Sequence, residues 1–182
     1  MEREIRAAIV TVNKKKFTGL PVVYNSRSEN LGGFVEVISP GAFSEQLANN
    51  PDVRALVEHD QKLILGRTKS GTLKITDSPE GLKVDIDPPE TQSARDLMVS
   101  VERGDISGMS FGFSVPQDGD VWDFDQVPAL RTVNKAILHE VTITSLPAYQ
   151  ATNVQVAQRA LNNKEFNVPK WQQFYKVANE II

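Results

Sequence analysis

The chain has 182 residues, of which 40% are hydrophobic and 24% charged, a size and composition typical of one globular domain with a real hydrophobic core. Its formal net charge is −3 and both signs are spread along the chain, which argues against the concentrated basic surface of nucleic-acid-binding proteins. It contains no cysteine, which excludes disulfides, thiolate metal sites and cysteine nucleophiles.

The sequence predicts neither a secretory signal nor a membrane span. Its first residues, MEREIRAAIVTV, carry mixed charges before a short apolar run, unlike a secretory signal. No later run approaches the roughly 18 apolar residues that a membrane-spanning helix needs. We therefore expect an intracellular protein without a membrane partner.

The first half of the chain is predicted to be mainly β. Two strands, IRAAIVTV and FTGLPVVY, are joined by the basic turn NKKK. The segment SPGAFSEQLANN predicts a short helix, with Ser39 as its cap and Pro40 at its first position. Four alternating runs between Val53 and Asp87 then predict an antiparallel meander.

The second half begins with a helix and returns to strands. Residues 90–103 carry apolar side chains at helical spacing, and Gly104 is the predicted stop. SGMSFGFSV then alternates between large apolar and small residues, and AILHEVTITSL is a last long strand. These elements favour an α+β fold, a mainly antiparallel closed β-barrel decorated with a few helices.

The chain is predicted to divide into a main domain, residues 1–155, and a C-terminal tail, residues 156–182. In the tail, Pro169 suits the first position of a short amphipathic helix, and apolar residues follow at helical spacing: Trp171, Phe174, Tyr175, Ala178 and Ile181. This stripe packs either on the chain's own barrel or on a second copy or a scaffold protein.

The stretch GDISGMSFGF places Ser110 in a G-x-S-x-G spacing, which presents a nucleophilic serine in many hydrolases. The α/β-hydrolase elbow is excluded because it needs a strand, a turn and a helix, whereas here more strand follows the serine. A serine between glycines on a strand is also a common packing choice. If Ser110 is a nucleophile, it acts from a strand.

A nucleophilic serine needs a base, and the chain has two histidines, His59 and His139. His59 ends the run VRALVEHD, near a strand terminus where a side chain can project into a cleft. His139 alternates with apolar residues, which predicts that it faces the core and that Glu140 lies on the opposite face. His59 is the better base, with Glu140 or His139 to orient it; the alternatives are a surface His59 paired with Asp60 and a solvated Glu140.

Five segments, in this order, resemble a known family: LGGFVEVISPGAF, ALVEHDQKLILGRT, GTLKITDSPEGLKVDID, GDISGMSFGF and HEVTITSLPAY. They resemble the prohead maturation proteases of tailed bacteriophages, which are similar to the herpesvirus assemblins. The resemblance covers roughly residues 17–152. Five ordered motifs are far more specific than the G-x-S-x-G spacing alone.

The resemblance implies a serine endopeptidase that cleaves scaffold and major capsid protein inside the assembling procapsid, in the cytoplasm of a host bacterium. It implies Ser110 as nucleophile, His59 as base and Glu140 as the third member of the triad. In the herpesvirus relatives a histidine takes the third place, so His139 stays an alternative, and those relatives suggest a homodimer. Ser107 is the chief competitor of Ser110, and should face the other side of an unbroken strand.

The resemblance implies no metal and no cofactor. Oxyanion donors are expected after Glu140, at Ala148 or Tyr149, since Pro147 has no N–H. Arg67, in the segment LGRT, either binds a substrate carboxylate or pairs on the barrel surface.

The sequence leaves two competing functions open. One is a non-catalytic capsid scaffold or assembly module with the same fold. The other is a metallohydrolase that uses His59, His139 and carboxylates, although the two histidines lack the H-x-x-x-H spacing of a helical metal motif.

Overall fold

The structure is a computed structural model that describes residues 8–13 and 15–145. These residues form two helices, α1 (Ser44–Ala48) and α2 (Gln92–Arg103). They also form the strands β1 (Ala8–Asn13), β2 (Lys16–Val23), β3 (Phe34–Ile38), β4 (Arg54–Val57), β5 (Asp60–Arg67), β6 (Leu73–Ser78), β7 (Gly81–Ile86), β8 (Gly108–Ser114), β9 (Asp120–Asp123), β10 (Ala129–Val133) and β11 (Ile137–Thr144).

Most of the strands form one eight-stranded sheet, in the order β5-β4-β11-β8-β1-β2-β7-β6. Neighbouring strands run antiparallel, except that β4 and β11 are parallel. The prediction of a mainly antiparallel α+β fold is therefore confirmed. An antiparallel sheet packs one face on the core, so apolar and polar residues alternate along each of its strands. This alternation made the strands recognisable in the sequence.

The prediction of a closed barrel is not confirmed, because the large sheet is open. Its edge strands, β5 and β6, do not pair with each other among the described residues. They are joined by a short 3-10 turn, Thr68–Ser70. At this corner the backbone N–H of Arg67 donates to Oγ1 of Thr72 (3.0 Å), a side-chain acceptor rather than a backbone carbonyl of β6.

The predicted meander is instead two separate hairpins. β4 pairs with β5 at one end of the sheet, and β6 pairs with β7 at the other. β4 adds to β11 and β7 adds to β2, so the two hairpins have different neighbours. The alternation of side chains predicted the strands correctly but carried no information on their partners.

A second sheet, of three strands in the order β3-β10-β9, was not predicted. β10 runs parallel to β3 and antiparallel to β9. The segments FVEVI, DVWD and ALRTV are short and mix charged with apolar residues. One charged side chain of each strand is buried in an ion-pair network, so the burial of these strands does not follow the apolar residues alone.

The two helices differ in how well they were predicted. α2 ends at Gly104, which has a φ of 80°, as expected, and it begins two residues later than predicted, after Thr91 as its N-cap. α1 begins at Ser44, so the prediction that Ser39 caps it is wrong. The residues before Ser44 form a turn in which Gly41 has a φ of 80°, and the hydroxyl of Ser39 donates to Asn134 instead.

The large sheet packs one face against a single apolar core. On β8, Met109 and Phe111 are buried in this core, and Phe113 packs against it. Because successive side chains of a strand point to opposite faces, Ser110 and Gly112 lie on the face away from the core. Glu140, which is opposite Gly112 in the register, lies on the same face.

Neither described helix is long and apolar enough to cross a membrane. The predicted tail, residues 156–182, lies outside the described residues. The predicted boundary at residue 155 therefore stays a prediction.

The three-stranded sheet contains a buried ion-pair network centred on Arg131. Its Nη1 donates to Glu36 Oε2 (2.9 Å) and its Nε to Asp120 Oδ2 (2.8 Å). Trp122 Nε1 donates to the same Asp120 oxygen (3.1 Å), and its ring lies 5.6 Å from the guanidinium carbon. Burial raises the pKa of Glu36 to about 7, although Arg131 opposes this shift.

Replacing Arg131 by methionine is expected to lower the free energy of unfolding by about 3–5 kcal/mol, since it leaves two buried carboxyl groups without their cation. Denaturant unfolding of the full chain measures this change. Arg103→Met is the matched control, because the Arg103–Asp105 pair is exposed and its loss should cost less than about 1 kcal/mol. Equal losses in the two variants would show that the network does not stabilise the fold.

Candidate active site

The site is built around a strained turn between β4 and β5. The turn consists of Glu58 and His59, and the register pairs Val57 with Asp60 on either side of it. Both turn residues have positive φ, 48° for Glu58 and 57° for His59. A tight two-residue hairpin needs this conformation and usually places Asn-Gly there, whereas other residues pay roughly 1–3 kcal/mol each. Contacts outside the turn must offset this strain.

Glu58 anchors the turn to the end of β11. Its Oε2 accepts a hydrogen bond from Oγ1 of Thr144, and its Oε1 accepts one from the backbone N–H of Ser145, both at 2.6 Å. Its own N–H donates to the carbonyl of Ile143 (3.0 Å). Burial acts to raise the pKa of Glu58, but these hydrogen bonds outweigh it and lower the pKa below its ordinary value. The side chain is therefore an anionic anchor.

His59 contacts two other residues of β11. Its Nδ1 lies 2.7 Å from Oε1 of Glu140, and its backbone N–H donates to Oγ1 of Thr142 (2.9 Å). Its side chain is 46% exposed, whereas that of Glu140 is 17% exposed. The hydrogen bond to Glu140 raises the pKa of His59 above its ordinary value, against the opposing effect of partial burial. A neutral imidazole held in this way carries its proton on Nδ1 and its lone pair on Nε2.

Ser110 lies on the same face of the sheet as these groups. In the register between β8 and β11 it is directly opposite Thr142, and Gly112 is opposite Glu140. Directly opposite residues have Cβ atoms about 4.5–5.5 Å apart. No hydrogen bond reaches the Ser110 hydroxyl among the described residues. In enzymes without a bound substrate, the hydrogen bond between a nucleophile and its base is often long, and it tightens only in the substrate complex. The structure thus brings His59, Ser110 and Glu140 to one face.

The second glycine of the G-x-S-x-G spacing makes room for Glu140. A Cβ atom at position 112 would lie 2.6 Å from Glu140 Oε1 and 3.2 Å from its Cγ and Cδ. Any side chain there would displace the carboxylate that holds His59. Glu140 Oε2 is buried and has no hydrogen-bond partner in the part of the chain that the structure describes, whereas Oε1 contacts His59.

The prediction that His139 faces the core is wrong. A β-bulge interrupts the pairing of β11 with β8 between Leu138 and Glu140, and His139 is the extra residue. It is exposed, and its Nε2 shares a hydrogen bond with Oγ of Ser114 (2.9 Å). The bulge shifts the alternation by one, so Leu138 and Val141 both face the core and Glu140 keeps the outer face. His139 makes no hydrogen bond to His59 here.

Two other predicted residues lie apart from these contacts. Arg67 forms a two-pronged ion pair with Asp52, at 2.6 and 2.5 Å, which is the surface pairing that the sequence left open. Ser107 precedes β8 and is exposed, and its carbonyl accepts a hydrogen bond from Val10. Ala148 and Tyr149 lie outside the described residues.

Sequence reasoning missed the contacts of Glu58 and Thr142. Glu58 directly precedes the predicted base, and Thr142 follows Glu140 at the strand period of two in EVTIT. That alternation was the available signal, but it gives no hint that the hydroxyl binds the backbone of a residue far away in the sequence. Among the described residues, no group of three or more His, Asp or Glu side chains could hold a metal ion.

Ser110 thus shares a sheet face with an imidazole whose Nδ1 is held by a carboxylate, and serine hydrolases use the same three kinds of group. The comparison with known families agrees. The family model described as caudovirus prohead serine protease matches residues 2–166, so the chain belongs to the caudovirus prohead serine protease family. The resemblance to the prohead maturation proteases is confirmed.

A curated relative is the prohead protease of Enterobacteria phage HK97, which is 28% identical over 142 residues. The match covers 76% of this chain and 58% of that relative, so the chain spans little more than half of the relative's length. No solved structure matches the chain significantly.

Proposed function

We propose that this chain is a serine endopeptidase that cleaves scaffold protein, major capsid protein or both during maturation of a phage procapsid. The observation that carries the proposal is the 2.7 Å contact between His59 Nδ1 and Glu140 Oε1 on the sheet face that also holds Ser110. Membership of the prohead serine protease family supports the choice of substrate. The site of action is then the interior of the assembling procapsid in the host cytoplasm.

The proposed chemistry is acyl transfer through a covalent intermediate. Ser110 Oγ attacks the carbonyl carbon of the peptide bond while His59 Nε2 takes the hydroxyl proton. The tetrahedral intermediate collapses, the C–N bond breaks, and His59 donates that proton to the leaving amine. Water then attacks the acyl-enzyme with His59 again as base, which releases the new carboxyl terminus and restores Ser110.

Each remaining group has a role in this scheme. Glu140 holds Nδ1–H, which selects the tautomer with a free Nε2 and stabilises the imidazolium that forms. The oxyanion is proposed to receive hydrogen bonds from the backbone N–H of Ala148 or Tyr149, a contribution of about 3–4 kcal/mol per donor. A homodimer, suggested by the resemblance to the herpesvirus enzymes, is a further part of the proposal.

Co-expression of the full chain with its cognate capsid and scaffold precursors tests this function. We expect mass spectrometry to find new protein termini at one or a few defined peptide bonds, and EDTA to leave the cleavage unchanged. Intact precursors would favour the non-catalytic assembly module. A loss of cleavage in EDTA that zinc restores would favour a metallohydrolase.

A further inference from the structure

Alternate residues of β11 form a polar row that faces the β4–β5 turn. Glu140 contacts His59 Nδ1, Thr142 accepts from the His59 backbone N–H, and Thr144 donates to the Glu58 carboxylate. The side chains of Thr142 and Thr144 are almost fully buried, at 1% and 2% exposure. One strand therefore holds the imidazole, the backbone and the neighbouring side chain of the turn.

Resting on the function proposed above, we infer that Thr142 and Glu58 are positioning residues for the catalytic base. The contact with Glu140 fixes the imidazole ring, but the place from which the ring extends depends on the backbone of His59. Thr142 holds that backbone through its hydroxyl and lies directly opposite Ser110 in the register. The side chain of Thr142 thus fixes the position of the His59 backbone relative to β8, the strand that carries Ser110.

Glu58 holds the other half of the turn. Its two carboxylate oxygens accept from Thr144 and Ser145, at the end of β11, and its backbone N–H donates to Ile143. Local preference does not favour glutamate here, because its positive φ suits glycine or asparagine better. Glutamate is explained by the contacts of its carboxylate with Thr144 and Ser145, which a glycine would lack.

Thr142→Val is the first test, because valine keeps the shape of threonine and removes the acceptor for the His59 N–H. We expect kcat to fall by about 10- to 100-fold with little change in KM, as for a displaced catalytic group. Thr142→Ser keeps the hydroxyl and should restore most of kcat. Thr132→Val, the same change on β10, is the matched control and should retain wild-type kinetics.

NMR titration of His59 gives a readout that does not depend on protease activity. The chain has two histidines, so comparison with His139→Gln assigns the His59 signals. Thr142→Val should loosen the contact with Glu140 and so lower the pKa of His59 from its raised value. An unchanged His59 titration and kcat in Thr142→Val would overturn the inference. If the wild-type chain is inactive, the proposed function fails, and the titration still tests the positioning.

Glu58→Gly separates positioning from simple stabilisation of the turn. Glycine relieves the strain of the positive φ, so we expect the thermal unfolding midpoint to stay close to that of the wild type. We expect kcat to fall all the same, because the carboxylate contacts with β11 are lost. Wild-type kcat in a folded Glu58→Gly variant would show that Glu58 positions nothing.

Discussion

Ser110→Ala is expected to abolish cleavage of the cognate capsid precursor and to leave the fold intact. Removing the nucleophile of a serine protease lowers kcat by a factor on the order of 10⁶. The stability should hardly change, because Ser110 is partly exposed on the face away from the core and no hydrogen bond reaches its hydroxyl among the described residues. Mass spectrometry of the co-expressed precursor and denaturant unfolding measure the two effects.

Ser107→Ala is the matched control for this variant. Ser107 is also a serine next to a glycine of the same motif, but it is exposed and precedes β8. It should keep substantial activity, because its backbone carbonyl, rather than its hydroxyl, makes the observed contact with Val10. Full cleavage by Ser110→Ala, or loss of cleavage only in Ser107→Ala, would contradict the assignment of the nucleophile.

Glu140→Gln is expected to lower kcat by a factor on the order of 10⁴, because an amide in place of the carboxylate favours the wrong imidazole tautomer. His139→Gln should have a much smaller effect on kcat, since His139 contacts Ser114 and not His59. Steady-state kinetics on a peptide spanning the cleavage site compares the two. A well-folded but inactive His139→Gln, together with a mild Glu140→Gln, would instead support a His-Ser-His triad.

The pH profile gives a second measure of the same contact. His59 acts as a base only when neutral, and its pKa lies above the ordinary value mainly because of the hydrogen bond to Glu140. In the wild type, kcat/KM should therefore rise with pH through a midpoint above 6.5. In Glu140→Gln the residual activity should rise at a lower pH, because the carboxylate that favours the protonated imidazole is gone. An unshifted midpoint would show that Glu140 does not raise the pKa of His59.

The proposed positioning residues and the proposed triad differ in how they could be predicted. Serine, histidine and glutamate carry chemistry that a sequence motif makes visible. Thr142 is proposed to act through one hydrogen bond to the strained turn, and Glu58, which lies in that turn, through carboxylate contacts with the end of β11. A threonine hydroxyl that binds the backbone N–H of His59, 83 residues away, leaves no local pattern.

By itself, the sequence determined the strands that alternate clearly, the helix α2 with its glycine stop, the family and the residues of the proposed triad. These features depend on local periodicity, on caps and on ordered motifs, all of which are written within short segments. Only the tertiary structure decided the open sheet, the separation of the two hairpins and the small second sheet. It also decided the bulge at His139, which reversed the predicted face of that residue. Strand partners and register depend on hydrogen bonds and packing between distant segments, so the side-chain alternation of one strand does not specify them.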